Sequence, residues 1–188
     1  MVGCEFRPTL TITNSPEGYV VRPSEDWIQQ RIGNEVPLVG LDFEGVRRVC
    51  SRVYALLRSM PDTPLEVFLG RTRSMPRQTE AERTAVVRIG QGIFRDALMD
   101  FWGGRCPLTG VADGALLRAS HIILWSECET DADRLDAFNG ILLSAHVDAA
   151  FDRHLLSFDQ GGALVFSPAL SERAREMIRS TATVDRIP

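Results

Sequence analysis

The stretch NGILLSAHVDAAFDRH, residues 139–154, holds two of the chain's three histidines, His146 and His154, beside Asp148 and Asp152. Imidazoles and carboxylates at this density can hold a metal ion or move protons in a hydrolysis. Spacing decides which of them can act together. Asp148 and Asp152 stand four residues apart, so on a helix they project from one face. His146 precedes Asp148 by two, which on a helix turns its side chain ~200° away. If residues 146 to 152 are helical, His146 and Asp148 cannot share a small metal site. The remaining histidine, His121, lies outside the stretch, in ASHI.

The totals frame this chemistry. The 188 residues suit one large domain or a small domain with an appendage, and 44% apolar with 24% charged residues is ordinary for a globular protein. No apolar run approaches a membrane span, and MVGCEFRPTL lacks a signal-peptide core, so the expected address is the cytoplasm. Cys4, Cys50, Cys106 and Cys128 form no CxxC pair, which argues against a zinc knuckle and reads as buried or idle thiols. The net charge of −4 does not advertise nucleic-acid binding. Yet every basic residue is arginine, and seven of them (Arg71, Arg73, Arg77, Arg83, Arg88, Arg95, Arg105) meet only Glu80, Glu82, Asp96 and Asp100 between residues 71 and 105. Such a surplus can grip phosphate, or it can be a solvated helix face.

The elements that must position these residues follow from periodicity. Residues 9–22 alternate around a turn cluster at Asn14–Gly18 and predict a β-hairpin. Phe43 to Leu57 carries apolar residues at helical spacing, and Pro61 and Pro64 close that helix. LEVFLG (65–70) is a candidate strand, and RTRSMPRQ (71–78) a candidate linker. Thr79 with Glu82 forms a capping box opening a helix through Val87. Gly90 and Gly92 are then expected to interrupt before a second helix over IFRDALMDFW. RCPLTG (105–110) and LLRASHIIL (116–124) are short β candidates. An acidic irregular loop follows over 126–138, then ILLS, a short helix near 146–152, a strand pair around Gly161-Gly162, and a last helix through ALSERAREMIRS.

RCPLTG, ASHI, NGILLS and FDRHLLSF, in this order, resemble the HNH nuclease family, whose catalytic unit is a ββα-metal fold. The resemblance runs from about Gln78 to Pro168, and RIGQGIFRDALMDFWGGRC is similar to the lead-in of bacterial members with an ASHI-type first motif. It implies a ββα-metal nuclease domain with flanking helices over 76–188; with the hairpin and helix read above as a small N-terminal α+β module over 1–75, of unassigned role and outside the resemblance, the expected fold is α+β. It implies a divalent-metal-dependent endonuclease cutting phosphodiester bonds in DNA, double-stranded by preference, with bacterial host defence as one setting. His121 matches the family's general base, and Asn139 its loop-fixing asparagine. The family's helix-borne metal ligands fall nine and thirteen residues after that asparagine, on Asp148 and Asp152. A bound cation would offset the mutual repulsion of two carboxylates at this spacing.

Two positions depart from the family pattern. Ser120 stands where many members carry Asp or His as another ligand, and Asp148 where many carry His. Oxygen ligands favour Mg²⁺ or Mn²⁺ over Zn²⁺ or Ni²⁺. Arg105 and Arg153 are the candidates for phosphate contact. His154 stands where this branch usually has glycine and reads, with His146, as a bystander. An acidic chain with so few substrate contacts would benefit from a homodimer or a partner to hold its DNA. The alternative from another class is a non-catalytic HNH-like module that binds nucleic acid or protein. A thiol hydrolase using Cys106 and His121 is the third reading. No GxSxG elbow or phosphate loop competes.

Overall fold

A computed structural model describes residues 10–15, 18–23 and 38–187. The expected thiol of Cys4 and the Pro16-Glu17 tip of the first hairpin lie outside them. The chain forms two compact units, Met1–Leu57 and Arg58–Pro188.

In the first unit, β1 (Leu10–Ser15) and β2 (Gly18–Pro23) pair antiparallel, with Ser15 opposite Gly18. Tyr19 and Leu41 exchange both backbone bonds, which carries the chain to α1 (Phe43–Arg58). Asp42 opens that helix by accepting the Gly45 N–H at 2.7 Å. Val49, Val53 and Leu56 form its buried stripe.

The second unit starts with α2 (Asp62–Thr72), where a strand was expected over 65–70. Pro61 and Pro64 do end α1, but they also begin α2. Proline is tolerated in a first helical turn because its missing N–H would have no intrahelical partner there. The Thr79–Glu82 capping box then opens α3 (Glu80–Phe101). This helix runs unbroken through both glycines that were expected to interrupt it. Gly90 is buried because Trp125 lies against it: a Cβ there would sit 2.6 Å from the indole. The indole packing offsets the ~1 kcal/mol that a mid-helix glycine costs.

RCPLTG is a closed turn, not a strand. Cys106 N–H bonds Val111 C=O and Gly110 N–H bonds Cys106 C=O, both at 2.9 Å. The central hairpin is instead β3 (Leu117–His121) with β4 (Gly140–Ser144), antiparallel, His121 opposite Gly140 and Ser120 opposite Ile141. The loop between them contains a short helix, α4 (Asp131–Leu135), opened by a Thr130–Asp133 capping box. Then come α5 (Ala145–Phe151), a second hairpin of β5 (Leu156–Phe158) and β6 (Leu164–Phe166), and α6 (Glu172–Thr181). Among the described residues, three two-stranded sheets with helices make the fold α+β.

α3 packs on β3, β4 and α4, while α5 packs on β3, β4 and β5. Arg95 of α3 donates to Leu117 C=O at 2.8 Å and Gly114 C=O at 2.6 Å, and Trp102 Nε1 to Gly140 C=O at 3.2 Å. Gly140 must be glycine for space: a Cβ there would overlap Phe94 and Leu98 of α3. Among the described residues no helix is long and apolar enough to cross a membrane.

Candidate active site

His121 ends β3 and is held on three sides. Its ring stacks on Phe94 of α3, centroids 3.7 Å apart and 17° from parallel. Trp125 meets it edge-on at 5.5 Å and 90°. Its Nε2 lies 2.9 Å from the backbone carbonyl of Arg134. A carbonyl only accepts, so Nε2 carries the proton and Nδ1 keeps the lone pair. Burial pushes the His121 pKa below the usual 6.5, against the opposing pull of the Arg134 carbonyl and the Asp152 charge. A neutral imidazole oriented this way presents an unprotonated Nδ1, which can accept a proton.

His121 opens onto a cleft of about 630 Å³ that it lines together with Asp152, His154 and the β5–β6 hairpin. Asp152 caps α5 in helical conformation, its N–H bonded to the Asp148 carbonyl at 2.9 Å. The two aspartates therefore stand one turn apart on one face, as their spacing requires. Burial raises the Asp152 pKa above 3.8, the Asp148 charge adds to the rise, and Arg153, His121 and His154 oppose it. Ser120, 2% exposed, donates from its hydroxyl to Asp148 Oδ1 at 2.5 Å. The residue before His121 thus orients a carboxylate.

The chemistry here suits a hard divalent cation: two carboxylates whose mutual repulsion a positive charge would relieve. Among the described residues no three His, Cys, Asp or Glu side chains come together as a metal cage. A cation held here would draw the rest of its shell from water and substrate.

Asn139 lies at the end of the single helical turn Ala137–Asn139, directly before β4. Its Oδ1 accepts the Ile123 N–H at 2.8 Å, and its Nδ2 donates to the carbonyls of Asp133 at 3.1 Å and Ile123 at 3.3 Å. One side chain ties both ends of the loop that follows His121.

Arg105 and Arg153 are not brought to the cleft. Arg105 Nη1 is spent on Gly110 C=O at 2.7 Å, closing the 105–110 turn, and Arg153 Nη1 donates to Ala149 C=O at 3.0 Å. His146 bonds Thr181 Oγ1 at 3.0 Å, away from the aspartates. His154 has φ 54°, the left-handed conformation that favours glycine. Cys106 is 1% exposed, with its sulfur accepting the Thr109 N–H, and it is not paired with His121.

Sequence reasoning missed Arg134, whose backbone carbonyl holds the His121 ring. Its guanidinium donates to the carbonyls of Trp125 at 3.1 Å and Cys128 at 2.5 Å, and pairs with Asp131 at 3.1 Å. Only its place near the end of the acidic loop, five residues before Asn139, hinted at it.

No curated protein matches the chain. HNH endonucleases are generally nucleases acting on nucleic acid, typically with a divalent metal. Residues 106–159, which carry His121, Asn139, Asp148 and Asp152, match the family model described as HNH endonuclease.

Proposed function

We propose that the protein is an endonuclease that hydrolyses phosphodiester bonds in DNA with a divalent cation, Mg²⁺ or Mn²⁺. The observation that carries this reading is the bond from His121 Nε2 to the Arg134 carbonyl, which leaves Nδ1 as the proton acceptor of a residue lining the cleft beside Asp152. Asp148 and Asp152 would hold the cation, which supplies positive charge where negative charge develops on the scissile phosphate. His121 takes the proton of the attacking water at Nδ1. Phe94 and Trp125 keep the imidazole from rotating, and Asn139 keeps the loop behind it closed. Ser120 holds one carboxylate oxygen of Asp148 in place. The test is cleavage of supercoiled plasmid with Mg²⁺ or Mn²⁺, against chelator and against Asp148→Ala. The reading expects nicking that both abolish, and equal cutting in chelator would sink it.

A second reading, a non-catalytic module binding nucleic acid or protein, draws on the same Ser120–Asp148 bond, which spends a carboxylate oxygen within the protein. It predicts binding without cutting under either metal.

A further inference from the structure

The arginine surplus of residues 71–105 is not absorbed by the cleft at His121. None of those seven arginines forms an ion pair among the described residues. Arg95 and Arg105 bond backbone carbonyls and line none of the described clefts. Arg77 and Arg83 instead line a second cleft, of about 340 Å³, together with Arg134 and an apolar floor of Phe68, Val86 and Trp125. Arg77 is shared with an adjoining cleft that Arg73 also lines. Across the two, four arginines face one carboxylate, Asp131, and Arg134 already neutralises it at 3.1 Å. The nearby Glu82 carboxylate is tied to the N–H groups of Gln78 and Thr79 at the helix start.

The cationic groups are partly built in place. Arg83 Nη1 donates to Gln78 C=O at 3.1 Å and Arg77 C=O at 3.5 Å, fixing the connection that carries Arg77. Arg77 Nη2 reaches Thr72 Oγ1 at 3.4 Å. Each guanidinium has five N–H donors, so most remain unspent. Clustered, exposed and unneutralised guanidinia suit the repeated phosphates of a polyanion, which arginine binds bidentately. Trp125 joins this cleft to the first, because the indole that lines it also meets the His121 ring edge-on.

We propose that the Arg73–Arg77–Arg83 cleft grips the phosphate backbone of the nucleic-acid substrate beside the scissile bond. The identity of the polyanion rests on the nuclease reading above. The patch itself is tested by binding alone. Fluorescence anisotropy of a labelled DNA duplex is measured over a salt series in chelator, with the His121→Ala chain as reference so that nothing is cut. Arg73→Ala, Arg77→Ala and Arg83→Ala are added singly, Arg173→Ala serves as the basic control on α6, and thermal melts confirm folding. Each of the three should weaken binding several-fold at low salt and reduce the slope of log K against log salt by about one. Arg77→Ala and Arg73→Ala decide the matter even if Arg83→Ala loosens the connection. Affinity and slope unchanged in both, or changed no more than in Arg173→Ala, overturn the inference. So does a reference chain that binds no duplex. A site that takes inorganic phosphate while duplex binding ignores Arg77 is an anion site unrelated to nucleic acid, and that also overturns it. The nuclease reading fails by a different result, unchanged cutting by His121→Ala in the otherwise intact chain.

Discussion

The imidazole of His121 donates from Nε2 to the backbone carbonyl of Arg134, thirteen residues away across the acidic loop, at 2.9 Å. That bond selects the tautomer of His121. It also makes the imidazole depend on how the loop is held, and Arg134, Asp131 and Asn139 hold it.

Burial lowers the His121 pKa from 6.5, and a general base works only when unprotonated. The cleavage rate should therefore rise from acid pH and level off with a midpoint below 6.5. A pH–rate series at saturating substrate and metal checks this, and a rising limb centred above 6.5 contradicts it. Stability shares the sign. The unfolded chain binds the extra proton between the two pKa values, so the His121 contribution is complete above pH 6.5 and is lost as pH falls toward the lower folded value.

Ser120→Ala removes the hydroxyl that orients Asp148 and leaves a side chain that fits the buried position. The metal concentration giving half-maximal cutting should rise on the order of 10-fold or more, as for other groups that orient a ligand. Mg²⁺ and Mn²⁺ titrations of the cleavage rate measure it, while the urea midpoint should move little.

Asn139→Ala deletes four loop-closing contacts at once, three of them to backbone groups and a weak one to Cys128 Sγ. At about 1 kcal/mol net per bond, the expected loss is roughly 1–3 kcal/mol. It should appear as a lower urea midpoint and as faster amide exchange at Ile123. Cutting should fall as well, because His121 borders the freed segment.

His146→Ala should leave the cleavage rate and its metal dependence unchanged, since its partner is Thr181. His154→Gly relieves a left-handed backbone that costs a side-chain-bearing residue about 1–2 kcal/mol. Glycine's own chain entropy offsets part of that gain, so thermal melting should show an unchanged or slightly raised midpoint.

Local rules made much of this site legible. The i, i+4 spacing placed Asp148 and Asp152 on one face, the capping box at Thr79 opened α3, and the FDR context marked His154 as a glycine-like turn position. Long-range packing stayed hidden. Gly90 looked like a helix breaker because its reason, the Trp125 indole, lies thirty-five residues away. Gly140 gave no local sign of its role as the seat for Phe94 and Leu98. RCPLTG looked like a strand because a closed turn can also bury apolar side chains. Arg105 and Arg153 were expected to contact phosphate but do not line the cleft, because which arginines a long-range fold brings to a cleft carries no sequence signature.

The central claim is that His121 is the base of a DNA endonuclease. The most direct measurement compares the rates at which the intact chain and His121→Ala convert supercoiled plasmid to nicked and linear forms in Mg²⁺ or Mn²⁺. A drop of roughly 10²–10⁴-fold, the usual contribution of a positioned general base, is the predicted result. Equal rates for the two proteins, or no cutting by the intact chain with either metal, would contradict it.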